Sequence, residues 1–107
     1  MFTRIVEVTV RPESRDTLIN LLNNEVLPTL RKEKGFVDSV GLTSPENGNQ
    51  LLSITFWKTR QDADTYHQNT YPRLLSLLNP HITHPPTIRT YDVVTSTVHK
   101  IAAGKAA

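Results

Sequence analysis

The chain of 107 residues has no cysteine, which excludes disulfide staples, thiolate zinc sites and a cysteine nucleophile. No apolar run approaches the roughly 18 residues a helix needs to cross a bilayer, so no membrane partner is expected. An excess of one charge is missing too. The formal net charge is +2, and the basic residues are scattered from Arg4 to Lys105. A nucleic-acid footprint would need them clustered, so no nucleic-acid partner is expected. The densest group, Arg31-Lys32-Glu33-Lys34, carries its own counter-charge and sits at an expected helix end, where cations complement the macrodipole. No phosphate loop, Ser-His-Asp order or dinucleotide fingerprint is present. The first residues enter a strand pattern with no basic region and apolar core of an export leader, which makes a cytoplasmic protein the default.

What is there is an ordinary globular balance, 37% hydrophobic and 21% charged, in a length that suits one core. Residues 2–10 alternate: Phe2, Arg4, Val6, Val8 and Val10 share one face of a β-branched strand. Pro12 suits a first helical turn. Leu18, Leu21, Leu22, Val26 or Leu27, and Leu30 then recur at helical spacing to about Lys34. Pro28 should kink or tighten the last turns, and Gly35 ends the helix. Residues 36–57 read as an antiparallel hairpin around Ser44–Asn49, in which Asn47-Gly48 is a pair that accepts positive φ.

Thr59 is a plausible cap for a second helical region, whose inner side would carry Ala63 and Tyr66, with His67 at its edge. Tyr71-Pro72 marks a break, Leu74 to Leu78 a short apolar helix, and Asn79-Pro80 its stop. A last strand is expected over 87–98. The domain is thus 1–98, followed by a flexible C-terminal tail at 99–107.

The order β-α-β-β-α-β is the split unit of the ferredoxin-like α+β fold, a four-stranded antiparallel sheet with helices on one face. The other face should be polar if it meets water. Here the strands carry apolar groups on both sides, around Trp57 and Tyr91, and a second copy of the chain covering that face accounts for it.

Three stretches carry a resemblance: Glu25-Val26-Leu27-Pro28 to Lys34-Gly35-Phe36, the junction Ile54-Thr55-Phe56-Trp57-Lys58-Thr59, and the following Gln61-Asp62-Ala63-Asp64. With the topology, they resemble the antibiotic biosynthesis monooxygenase family up to about residue 98. The resemblance implies a dimeric α/β barrel with a pocket between sheet and helices in each subunit. Its aromatic-polyketide oxygenases work without metal or flavin, using a Trp and an Asn four residues before it; Trp57 matches the first and Ser53 occupies the second. Its haem degraders need an Asn, a Trp and a His where this chain has Glu7 or Val8, Tyr66 and Ser76. No cofactor is therefore expected.

The candidate catalytic residues are His67 and Trp57. An imidazole suits general-base work near neutrality, and the indole would either wall the pocket or fill the strand–helix seam. The candidate substrate-binding residues are Ser53, Tyr66, Tyr71 and Arg89. Arg89 would hold an anionic oxygen or pair with Glu7. His81 and His84 lack a third ligand, so no metal site is expected. The expected function is oxidation of a small aromatic, phenolic or quinol-type molecule by a homodimer. A non-catalytic dimer that binds a small molecule is the competing reading, and a purely structural assembly module is a third.

Overall fold

The computed structural model describes residues 1–99 and 101. Strand β1 runs Phe2–Thr9 and leads through a 3-10 turn at Pro12–Ser14 into helix α1, Arg15–Leu21. A π-helical turn at Leu22–Val26 joins α1 to α2, Leu27–Arg31. Strands β2, Phe36–Thr43, and β3, Gln50–Trp57, form the hairpin. Helices α3, Arg60–Asn69, and α4, Tyr71–Leu78, follow, and a 3-10 turn leads on to strand β4, Thr87–Asp92. The sheet is wholly antiparallel in the order β2-β3-β1-β4, the ferredoxin-like arrangement.

The register sets the two faces. Phe2 lies opposite Trp57, Arg4 opposite Thr55, Val6 opposite Ser53 and Val8 opposite Leu51. Side chains alternate along a strand, so all eight point to the helix side. There Trp57, Leu18, Leu30, Leu74 and Val10 are essentially sealed from solvent and form the centre of the core. Burying each of the aliphatic ones is worth roughly 1.5–3 kcal/mol before entropy is counted.

Of the kink or tightening expected at Pro28, the tightening does not occur. The turn before it widens: the Leu27 N–H donates to the Leu22 carbonyl, five residues back. In a regular helix the proline ring collides with the carbonyl four residues earlier, and an extra residue in the turn relieves that collision. The Thr29 hydroxyl takes up the Glu25 carbonyl at 2.8 Å.

Gly35 ends this helical region as expected, at φ +80. Gly48 does not adopt positive φ. Its loop is shaped instead by hydrogen bonds, from the Asn47 N–H to Ser44 Oγ and from the Asn49 N–H to Asn47 Oδ1. Arg15 Nε also donates to the Gly48 carbonyl, tying the loop to α1. The Thr59 cap is present, its hydroxyl accepting from the Asp62 N–H at 3.1 Å.

The last strand is shorter than the 87–98 expected, because its partner runs out. Asp92 pairs with Phe2, and the Val93 N–H reaches the carbonyl of Met1. Beyond that point β1 offers nothing to bond. The tail expected at 99–107 lies outside the described residues apart from His99 and Ile101. His99 packs its ring 4.8 Å from that of Phe56, with Nε2 3.7 Å from Asp38 Oδ2.

Candidate functional site

Between the helix side of the sheet and the helices lies a cavity of about 360 Å³. Its walls are mostly aliphatic: Val6, Val8 and Leu51 from the sheet, Leu18, Val26 and Leu30 from the first helical region, Leu74 and Leu78 from α4. Small residues on the two hairpin strands, Ser39, Gly41 and Ser53, leave the room. A Cβ built on Gly41 would meet no atom within 4 Å. The exposed lining residues, Asn23, Gly41, Leu42 and Thr43, lie on the π turn and on the edge strand β2, which places the open side there.

Among the described residues, one charged group lines this cavity. Arg4 sits in phase with Phe2, Val6 and Val8 on β1, so the strand's alternation carries it inward to 3% exposure. Its Nη2 donates to His67 Nδ1 at 3.0 Å, and its Cζ lies 4.2 Å from the Tyr71 ring centre and 5.4 Å from that of Tyr66. A guanidinium can only donate, so His67 must present the Nδ1 lone pair and carry its proton on Nε2. None of the ion pairs among the described residues involves Arg4. Burial pulls its pKa below the usual arginine value. The starting value is so high that the group stays charged at neutral pH.

The aromatic residues form a contiguous row. Phe36 meets Trp57 edge-on at 5.7 Å, Trp57 lies 5.0 Å from Tyr66, Tyr66 6.2 Å from Tyr71, and Tyr71 stacks on His67 at 5.4 Å. Burial pushes the Tyr66 phenol up to about 12, against the opposing pull of Arg4. Tyr71 is raised for the same reason. Both hydroxyls therefore keep their protons at neutral pH. That of Tyr71 is buried beside Arg4 and, among the described residues, has no hydrogen-bond partner of ordinary geometry.

The residues singled out from sequence fall into two groups. Ser53, Tyr66 and Tyr71 line the cavity. Trp57, His67 and Arg89 do not. Trp57 is wholly buried behind Tyr66, in the seam between β3 and α3, with Nε1 donating to Thr55 Oγ1 at 2.9 Å. His67 follows Tyr66 on α3, and the helical rotation of one residue turns it away from the wall to an exposed position behind Arg4. Arg89 pairs across the sheet with Ile5 and so projects from the helix-free face, where its Nη1 is 3.9 Å from Glu7 Oε1. Residue types alone single out the wrong arginine for the cavity's cation; the sign that Arg4 turns inward is its phase with four apolar neighbours. Asn23 and Gly41 carry no motif and become visible only as cavity wall. Among the described residues, no group of three or more His, Asp or Glu is placed to hold a metal ion.

A family model described as antibiotic biosynthesis monooxygenase matches residues 1–73, from β1 through the start of α4. The chain belongs to the antibiotic biosynthesis monooxygenase family. Solved structures agree in fold. A protein described as an antibiotic biosynthesis monooxygenase superposes with a TM-score of 0.75 at 22% identity, covering 89% of this chain and 100% of the other. A putative antibiotic biosynthesis monooxygenase from Nitrosomonas europaea gives 0.76 at 18%, over 89% and 100%. SnoaB from Streptomyces nogalater, described as a cofactor-independent oxygenase and solved as a mutant, gives 0.72 at 13%, over 90% and 95%. A search of curated proteins gives no match. Among the described residues, no helix is long and apolar enough to cross a membrane.

Proposed function

We propose that this member of the family oxidises a small aromatic, phenolic or quinol-type substrate with O₂, without a cofactor, in the cavity between sheet and helices. The cavity carries this reading: its volume falls in the range of small-molecule sites, and its lining is aliphatic with a few convergent polar groups. An electron-rich substrate can itself reduce O₂. One oxygen atom enters the ring and the other leaves as water, so a phenol departs as a quinone and no outside reductant is consumed. The protein's part is to hold the reacting form in a dry site and keep water out. Tyr66, Tyr71 and Ser53 would touch the substrate. Trp57 and His67 would be positioning residues, Trp57 acting through Tyr66, which it backs, and His67 through Arg4, which it holds.

The same reading pairs two copies through the helix-free sheet face. There Val40 is 40% and Tyr91 51% exposed, beside the half-buried Ile5, Leu52, Ile54 and Phe56. An apolar sheet face of this kind is expected to be covered.

A second reading, a binding protein that performs no oxidation, is favoured by one observation. The cavity wall has a serine, Ser53, where the oxygenases that the sequence resembles use an asparagine amide. Oxygen uptake by metal-free protein over a panel of phenols and quinols separates the two. Uptake is expected in the native chain and should vanish in Gly41→Leu, whose side chain would fill the open space at that position. Binding without uptake leaves the second reading standing, and neither binding nor uptake removes both.

A further inference from the structure

Given the cavity as the substrate site, we infer that it takes an organic oxyanion, a phenolate or carboxylate on a small flat apolar body, whose charged oxygen is bound by Arg4 and the Tyr71 hydroxyl. Two buried polar groups on one wall lack what they are built to contact. Among the described residues Arg4, 97% buried, has no carboxylate partner, and its bond to His67 uses one of five N–H donors. The Tyr71 hydroxyl, on a residue 93% buried, makes no hydrogen bond of ordinary geometry among the described residues and lies within electrostatic reach of the Arg4 guanidinium. A buried charge without a counter-ion is among the costliest arrangements in a protein, and the faces of Tyr66 and Tyr71 compensate only in part. Arg89 shows the ordinary solution, a surface guanidinium beside Glu7. Arg4 has no such neighbour and opens instead on the cavity.

The donors fit one acceptor. Guanidinium N–H groups and a neutral phenol hydroxyl all donate, and an oxyanion accepts from several at once. Burial keeps the Tyr71 proton in place, so the hydroxyl can serve as donor. The rest of the wall, Val6, Val8, Leu18 and Leu74 among it, offers only van der Waals contact and suits the uncharged body of the ligand. An inorganic anion would leave that apolar volume unfilled. His67 holds Arg4 from behind through Nδ1 and so fixes where its remaining donors point.

The probe is 4-nitrophenol, whose anion is yellow, titrated by absorbance in the presence of the full chain. The bound probe is expected to ionise at least one pH unit lower than the free one, a tenfold preference for the phenolate. 4-Nitroanisole, which has the same ring and no ionisable oxygen, should bind about tenfold more weakly, the loss of one charge-assisted hydrogen bond. Tyr71→Phe removes only the unpartnered hydroxyl and should weaken phenolate binding about threefold to tenfold with the fold intact. Arg4→Met should abolish the preference. Should that variant fail to fold, the anisole comparison and Tyr71→Phe still decide. Inorganic phosphate and chloride should not compete.

An unchanged or raised ionisation of the bound probe, equal binding of the anisole, or no binding at millimolar probe would each overturn the assignment. The absorbance reads charge and not turnover. A protein that binds the phenolate but consumes no oxygen keeps the anion site and loses the oxygenase reading. Oxygen consumption with no preference for the phenolate does the reverse.

Discussion

Gly35 closes the first helical region at a point where two separate costs would fall on any side chain. Its φ of +80 lies in the left-handed region, and a Cβ built there would run into the carboxyl group of Asp62, with Asp62 Cβ at 2.6 Å. Gly35→Ala therefore meets a backbone term of about 1–2 kcal/mol. To it is added an overpacking term of about 1–3 kcal/mol. Against these stands a gain of about 0.4–1 kcal/mol from a less flexible unfolded chain. The net loss should be about 1–4.5 kcal/mol, a large share of a typical stability of 5–15 kcal/mol.

Part of that loss cannot be relieved by moving the neighbour, because Asp62 is held. Its N–H is capped by Thr59, and the Gly35 carbonyl accepts from the Lys58 N–H at 2.8 Å. Urea denaturation of the native chain, Gly35→Ala, Asp62→Gly and the double variant closes a cycle that separates the two terms. Removing the Asp62 side chain should recover the overpacking share, a coupling of about 1–3 kcal/mol, and leave the backbone share in place. A loss below about 0.5 kcal/mol for Gly35→Ala, or additive single effects, would refute the picture of a glycine fixed by both conformation and contact.

Two further outcomes are expected. The Tyr66 phenol ionises at about 12 in the folded chain against an ordinary 10. The folded state therefore holds its proton longer, and stability present below pH 10 should fall between pH 10 and about 12, by roughly 2–3 kcal/mol relative to Tyr66→Phe. Parallel pH profiles for the two proteins would contradict that. On the helix-free face, Val40→Lys should convert a dimer to monomers in sedimentation equilibrium while leaving the circular dichroism spectrum unchanged; a native chain that sediments as a monomer counts against the pairing.

Alternation and helical spacing determine most of this molecule before any tertiary contact is known. β1 is legible because Phe2, Val6, Val8 and Val10 recur every second residue, and α3 because Thr59 caps it and Ala63 and Tyr66 sit one helical turn apart. Element order then dictates the ferredoxin-like sheet, and the glycine at 35 marks a turn that only a residue without Cβ can make. Three things needed the folded chain. The end of β4 at Asp92 depends on where β1 begins, which no local pattern records. The widened turn before Pro28 depends on relief of a steric clash within the helix, which a periodicity does not resolve. The third is the cavity's charge. Side-chain chemistry draws attention to Arg89 as a holder of anionic oxygen and to His67 as a base, but a one-residue phase difference along each element turns them away from the wall. The same alternation that makes Val6 and Val8 core makes Arg4 core as well. Only packing decides that its partners there are two tyrosine rings and a histidine nitrogen, with no carboxylate among them.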